Sequence, residues 1–256
     1  MRKLVTCFSA ILCFNTVVAQ KAGLPAEAVS FLPAGYELLD YVTGDLNGDK
    51  KTDAILIARI PGEDTIITSE TKRPMLILIR QANGKLKQAK RNDEIIMCRQ
   101  CGGVYGDPYD GVEIKGNGFA VVFYGGSSWR WGYTYTFGYK SGDWYLLSEK
   151  EISFQSGDPE ATMKESVIDA TELGVISFEK FDSTPEYVDA KWKVIAAKTY
   201  FYDTPKLGSK PRKGYLIKGN EAMQLRVLKN FVELSFENDK GVFTSGFILK
   251  KDLVKL

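Results

Sequence analysis

The chain of 256 residues contains no histidine, and that absence removes most nucleophilic and hydrolytic chemistry. There is no Ser-His-Asp or Cys-His site, no usual zinc hydrolase centre and no imidazole base at neutral pH. Carboxylate, lysine or tyrosine chemistry is what remains. Asp107 and Asp110, on a tyrosine-rich loop, are the best acid-base candidates, but carboxylates on a turn more often form or cap it. The expectation is a protein that is not an enzyme. Cysteine is scarce: of four residues, Cys7 and Cys13 fall within the first twenty, leaving Cys98 and Cys101 in MCRQCGG. A zinc site would need two further ligands, and beyond the first twenty residues there is no other cysteine, nor any histidine in the chain. A thioredoxin-like pair would open a helix after a strand, whereas Gly102 and Gly103 favour a turn. A local disulfide, a labile thiol pair and a redox site stay open as readings of Cys98 and Cys101.

Long apolar runs are also missing beyond the first residues, so no membrane insertion is expected in the body of the chain. The start, MRKLVTCFSAILCFNTVVAQ, sets Arg2 and Lys3 ahead of an apolar run at residues 4–18. Small residues precede an expected cut after Ala19, the pattern of a secretory signal. Cys13 follows Ile11 and Leu12 and lacks the small residue that a lipid-anchoring signal places before its cysteine. A periplasmic or extracellular location follows. Charge of one sign is scarce only locally: residues 190–256 hold 14 Lys plus Arg against 6 Asp plus Glu, and residues 20–189 hold 18 against 26. The two parts are expected to attract each other, or to face partners of opposite charge. No nucleic-acid partner is expected.

What is present reads mainly as strand and turn. A short helix around Pro25 ends at Pro33 to Gly35. The apolar runs at 54–60 (AILIARI) and 74–81 (PMLILIRQ) read as buried strands, and Asn83 to Lys85 and Gly116 to Gly118 as hairpin turns. FAVVFY, WRWGYTYTFGY and WYLLSE, joined by GGSS and KSGD, predict an antiparallel β-meander. Residues 159–174 are compatible with a helix or a loop. Polar residues around Pro185 mark a boundary, giving a signal at 1–19, a β domain at 20–186 and a small β unit at 190–256.

The segment GDLNGDKKTDAILI places Asp45, Asn47, Asp49 and Asp53 at positions 1, 3, 5 and 9 of a loop, with the Lys51 carbonyl at position 7. Hard cations need several oxygens at once, and this spacing supplies them. Position 12 is Leu56 rather than glutamate, and Lys50 stands where glycine is usual. The segment resembles the inter-strand calcium loops of FG-GAP and VCBS repeat proteins. The resemblance implies a structural calcium ion and a propeller-like or meander arrangement of the first domain.

In the strand beginning at Trp129, the aromatics Trp129, Trp131, Tyr133, Tyr135, Phe137 and Tyr139 alternate with Arg130, Gly132, Thr134, Thr136 and Gly138, so one face is wholly aromatic. Its middle is expected in the core. Near the hairpin tip, Tyr124, Trp129 and Arg130 are candidates for partner binding, with Tyr105 and Tyr109 of the loop CGGVYGDPYDG flanking them. These features together resemble small secreted and periplasmic proteins, some of which inhibit peptidoglycan hydrolases such as lysozymes.

From Lys193 onward, short strands and turns predict a five-stranded barrel. The segment resembles bacterial Src-homology-3-like domains, down to a closing G-F-x-x-x-x-D-L at residues 246–253, although phenylalanine (Phe231, Phe247) stands where tryptophan is common. The resemblance implies a cell-wall or protein-binding module. The overall expectation is an exported, mainly β, non-catalytic protein that binds an envelope polymer or another protein. The alternative is an inhibitor or immunity-type protein against a peptidoglycan hydrolase.

Overall fold

The computed structural model describes residues 23–65, 71–183 and 190–256. The expected signal at 1–19 lies outside the described residues, as does most of the expected boundary around Pro185. Three antiparallel sheets and a short ribbon make up the described chain.

The first sheet is a meander of β1 (Glu37–Gly44), β2 (Asp53–Arg59), β3 (Met75–Arg80) and β4 (Leu86–Asn92). β2 reads as a continuous apolar run because both of its faces are buried. Ile55 and Ile57 join Met75 and Ile77 in the main core, whereas Ala54, Leu56 and Ala58 face Leu24, Phe31 and Leu32 of the N-terminal segment. That segment forms turns and one 3-10 stretch, Val29–Phe31.

The second, central sheet is a five-stranded meander: β5 (Tyr109–Lys115), β6 (Gly118–Gly126), β7 (Trp129–Lys140), β8 (Asp143–Gln155) and β9 (Lys164–Asp169). The tight β7–β8 turn places Ser141 and Gly142 both at positive φ, 52° and 88°, as a primed two-residue hairpin turn requires. β9 is a strand where the sequence suggests helix or loop. It has only Ile168 buried, so its alternation is too weakly apolar to read, as befits an edge strand. Four-residue helices flank it, Pro159–Thr162 capped by Asp158 and Ala170–Leu173 capped by Asp169.

The third sheet begins with β10 (Lys191–Val194); β11 (Lys198–Tyr200) pairs separately with β12 (Tyr215–Ile217). Its remaining strands are β13 (Glu221–Val227), β14 (Phe231–Glu237), β15 (Phe243–Leu249) and β16 (Leu253–Lys255), in the order β15-β14-β13-β10-β16. The described residues form no closed barrel: the sheet is open, and the ribbon meets it by a bridge from Tyr202 to Phe247. β14 explains how this unit packs. Val232 and Leu234 point into a local core with Trp192, Phe201 and Ile248, while Phe231 joins the main core. The main core thus runs through all three sheets, with Phe178 and Phe181 between them.

Candidate functional site

Asp45, Asp49 and Asp53 each offer an oxygen within 4.8 Å of the other two. The loop is built for this convergence. Asp45 accepts backbone N–H groups from Asn47, Gly48 and Lys50 at 3.2, 2.7 and 2.8 Å, and Asn47 Oδ1 accepts from Asp49 at 2.9 Å. Lys50 takes φ 65°, the left-handed conformation that glycine would adopt, so the turn forms despite the substitution. Asp53 is fully buried and accepts from Leu46 N at 3.0 Å and Arg80 N at 2.8 Å. Burial, together with the nearby Asp49 and Asp45 charges, raises its carboxyl above the usual range. The Trp144 indole donates to the Leu46 carbonyl at 2.9 Å and pins the loop to β8. The three converging carboxylates make a hard-oxygen set that could hold a divalent cation, and the Asn47 amide oxygen and the Lys51 carbonyl are the further ligands that the sequence spacing offers. The Lys51 ammonium pairs with Asp49 Oδ2 at 2.8 Å and would give way to such an ion.

The five expected partner-binding residues do not share one face. Tyr105 and Tyr124 pack edge to face at 4.9 Å, and the Arg130 guanidinium lies 5.2 Å from the centre of the Tyr105 ring. Phe154 also stacks with Tyr124, at 6.4 Å. Trp129 occupies the opposite face of β7, because successive residues alternate, and is half exposed. Tyr109 departs from the expectation altogether. It is paired with Phe123 on the core side of the sheet, and its hydroxyl donates to Asp40 Oδ2 at 2.7 Å. Burial and the Asp40 charge push its phenol far up. Cys98 and Cys101 form a disulfide with Cα atoms 5.2 Å apart, at the base of the 3-10 stretch Arg99–Tyr105 that carries Tyr105.

Asp107 has a structural use. Arg73 is fully buried and donates two bonds to Asp107, at 2.8 and 2.7 Å, two to Glu63, both at 2.8 Å, and one to the Met97 carbonyl at 3.1 Å. Such bidentate pairs fix geometry as well as charge, and they commit the carboxylate that the sequence offers as an acid-base candidate.

A cleft of about 700 Å³ lies between the central and third sheets. One wall is the aromatic ladder of β7: Trp131 and Tyr133 rings are 5.5 Å apart, Tyr133 and Tyr135 are parallel at 5.9 Å, and Phe181 abuts Tyr135 at 4.7 Å. The Trp131 indole lies flat over Gly125, where any Cβ would come within 2.5 Å of the ring. Beside the ladder on the same sheet, Glu149 pairs with Tyr135 and Glu151 with Tyr133 in the β7–β8 register. From the third sheet, Arg226 and its cross-strand partner Glu233 complete the wall. Arg226 Nη1 donates to Glu149 and its Nε lies 3.3 Å from Glu233 Oε2, without hydrogen-bond alignment. Burial, with the Glu151 and Glu149 charges, raises the Glu233 carboxyl despite Arg226. Burial and Glu149 likewise push the Tyr135 phenol up.

The acidic wall escapes sequence reasoning for a definite reason. A bulge between the Thr136–Ser148 and Phe137–Leu146 pairs leaves Leu147 unpaired. Trp144 and Leu146 point inward before it, and Glu149 after it. One inserted residue inverts the inside-outside phase. The signal that could have found the wall is the i, i+2 pair Glu149 and Glu151, opposite an aromatic strand.

Comparison with protein-family models, with curated proteins and with solved structures finds no match. No described helix is long and apolar enough to cross a membrane.

Proposed function

We propose that this chain is an exported, non-catalytic binding protein of the cell envelope, recognising an envelope polymer or a protein partner. The observation that carries the reading is the aromatic-walled cleft, open to solvent and within the size range of ligand sites, roughly 300–1,000 Å³. Planar rings in a row offer apolar faces to a ligand, and the glutamates and Arg226 supply orienting charge. The N-terminal sequence supports export, and the lack of histidine supports a binding role over a catalytic one. Calcium in the Asp45 to Asp53 loop would be structural, as in the FG-GAP and VCBS loops that the segment resembles. The C-terminal unit, by its resemblance to bacterial Src-homology-3-like domains, would be an envelope-binding module, and its basic balance suits an anionic polymer.

A second reading, an inhibitor or immunity-type protein against a peptidoglycan hydrolase, is favoured by the hairpin tip. Tyr105 beside Arg130 on one face of β7, and exposed Trp129 on the other, are the residue types that dominate protein hot spots. A pull-down of residues 20–256 from an envelope extract, with and without calcium and followed by mass spectrometry, tests both. Recovery of glycan fragments alone supports the polymer reading. A stoichiometric hydrolase, released by Trp129→Ala or Tyr105→Ala, supports the inhibitor reading. Recovery of neither would count against both.

A further inference from the structure

The cleft has too many carboxylates for its cations. Glu149, Glu151 and Glu233 line it, against Arg226 and Lys180. Lys180 is exposed, at the rim. Arg226 is shared: Glu149 takes Nη1, and Glu233 has only the misaligned Nε. Glu151 is the cross-strand neighbour of Tyr133. In the adjoining smaller cavity Arg212 is committed to Asp203, at 2.6 Å, and to the Ser245 carbonyl, at 2.6 Å, so it offers the cleft no relief. Negative charge held beside ring faces is the environment of an ammonium site, because the face of an aromatic ring carries negative potential.

We propose that this cleft binds a primary ammonium group on an apolar stem, the lysine-like side chain of an extended peptide, with Glu151 and Glu233 receiving the ammonium and Tyr133 and Tyr135 presenting their rings. The inference rests on the binding reading above and names its ligand chemistry. An ammonium carries three donors and no acceptor, which suits carboxylates that share one guanidinium. Trp131, Met97 and Ile176 line the same space and would cover the methylene stem, which prefers apolar contact while its head stays polar. The volume exceeds what an isolated ammonium needs, which argues for a side chain still attached to its peptide.

The test is calorimetric titration of residues 20–256 with acetyl-Ala-Lys-Ala-amide, beside the same peptide carrying Nε-acetyl-lysine or norleucine, and beside free glucosamine. Saturable binding of the lysine peptide is expected, with loss of roughly tenfold or more in affinity for the two neutral peptides and for Glu151→Gln, about one charge contact's worth. Glu233→Gln serves as the second variant, and thermal midpoints no lower than that of wild type would show that both fold. Equal binding of the acetylated peptide, undiminished binding by both variants, or no saturation would overturn the proposal. Binding of glucosamine without the peptide would also overturn it and move the amine to a sugar. Envelope material retained by wild type and Glu151→Gln alike, with no amine binding, would remove this ligand and leave the broader reading standing.

Discussion

Two arginines of this protein sit among carboxylates and are solved differently by the fold. Arg73 is fully buried and all five of its N–H donors are used, two on Glu63, two on Asp107 and one on Met97 O. Arg226 keeps about a quarter of its side chain exposed, leaves Nε without an aligned acceptor and faces Glu149, Glu233 and an open cleft. A closed network holds loops together and has nothing left for a ligand. An open one retains charge that a ligand can answer. The position of each in the chain agrees: Arg73 ties the β2–β3 link to the loop before β5, whereas Arg226 bridges two sheets at the cleft.

The sharpest way to break this comparison is to empty each site of its cation. Arg73→Met leaves Glu63 buried without its partner, and removing one member of such a pair typically costs about 3–5 kcal/mol. Urea denaturation monitored by tryptophan fluorescence should show this as a lowered midpoint with little change in slope. A cost near zero would mean that Glu63 and Asp107 find other partners and that the closed network is not what holds the loops. The next largest effect belongs to the aspartate loop, where the expected ion is calcium. At a hundredfold excess over its dissociation constant, a structural ion stabilises by about 2.7 kcal/mol. Thermal midpoints with calcium and with chelator should differ accordingly in wild type and not in Asp49→Asn. No difference in wild type would leave the loop as an acidic turn held by its own backbone bonds.

How much of this could be read in the sequence follows from which contacts are local. The aspartate loop was legible because its five positions lie within nine residues and its geometry depends on chain direction alone. The β6 to β8 meander was legible because β7 alternates regularly and the turns on either side of it carry glycine. The buried β2 and β3 strands declared themselves by continuous apolar runs. The cleft was not legible. It needs a bulge at Leu147 to rotate Glu149 and Glu151 inward, and it needs Arg226 to arrive from more than seventy residues away. Tyr109 misled for a related reason: next to Tyr105 in the same loop, it enters β5 and turns to Asp40, while Tyr105 stays on the surface. Composition marks a loop as aromatic, but the strand phase decides which ring faces water.

A smaller effect is expected at the open network. Because Arg226 is partly exposed, the double-mutant cycle of Arg226→Met with Glu149→Gln should give a coupling of about 1 kcal/mol or less, reduced by salt. A coupling as large as that between Arg73 and Glu63 would erase the contrast between the two arginines and argue that Arg226 also serves structure alone.

The smallest and most diagnostic change is Glu233→Gln. Burial and the charges of Glu151 and Glu149 outweigh Arg226 and raise the Glu233 carboxyl above its unfolded value, so the folded state prefers the protonated form. The charged form is then a burden that is fully present above the raised folded value and absent below the unfolded one. Glu233→Gln should therefore be slightly more stable than wild type at neutral pH. Its advantage should fade as pH falls through the raised range toward the ordinary carboxylate value, as followed by urea midpoints from pH 8 to 4 (about the unfolded glutamate range). If an ammonium ligand occupies the cleft, its presence should remove the advantage at neutral pH, because the ligand then supplies the positive charge that the glutamate lacks. An advantage that is independent of pH would trace to packing instead of charge and would deprive the cleft of its electrostatic reason to bind a cation.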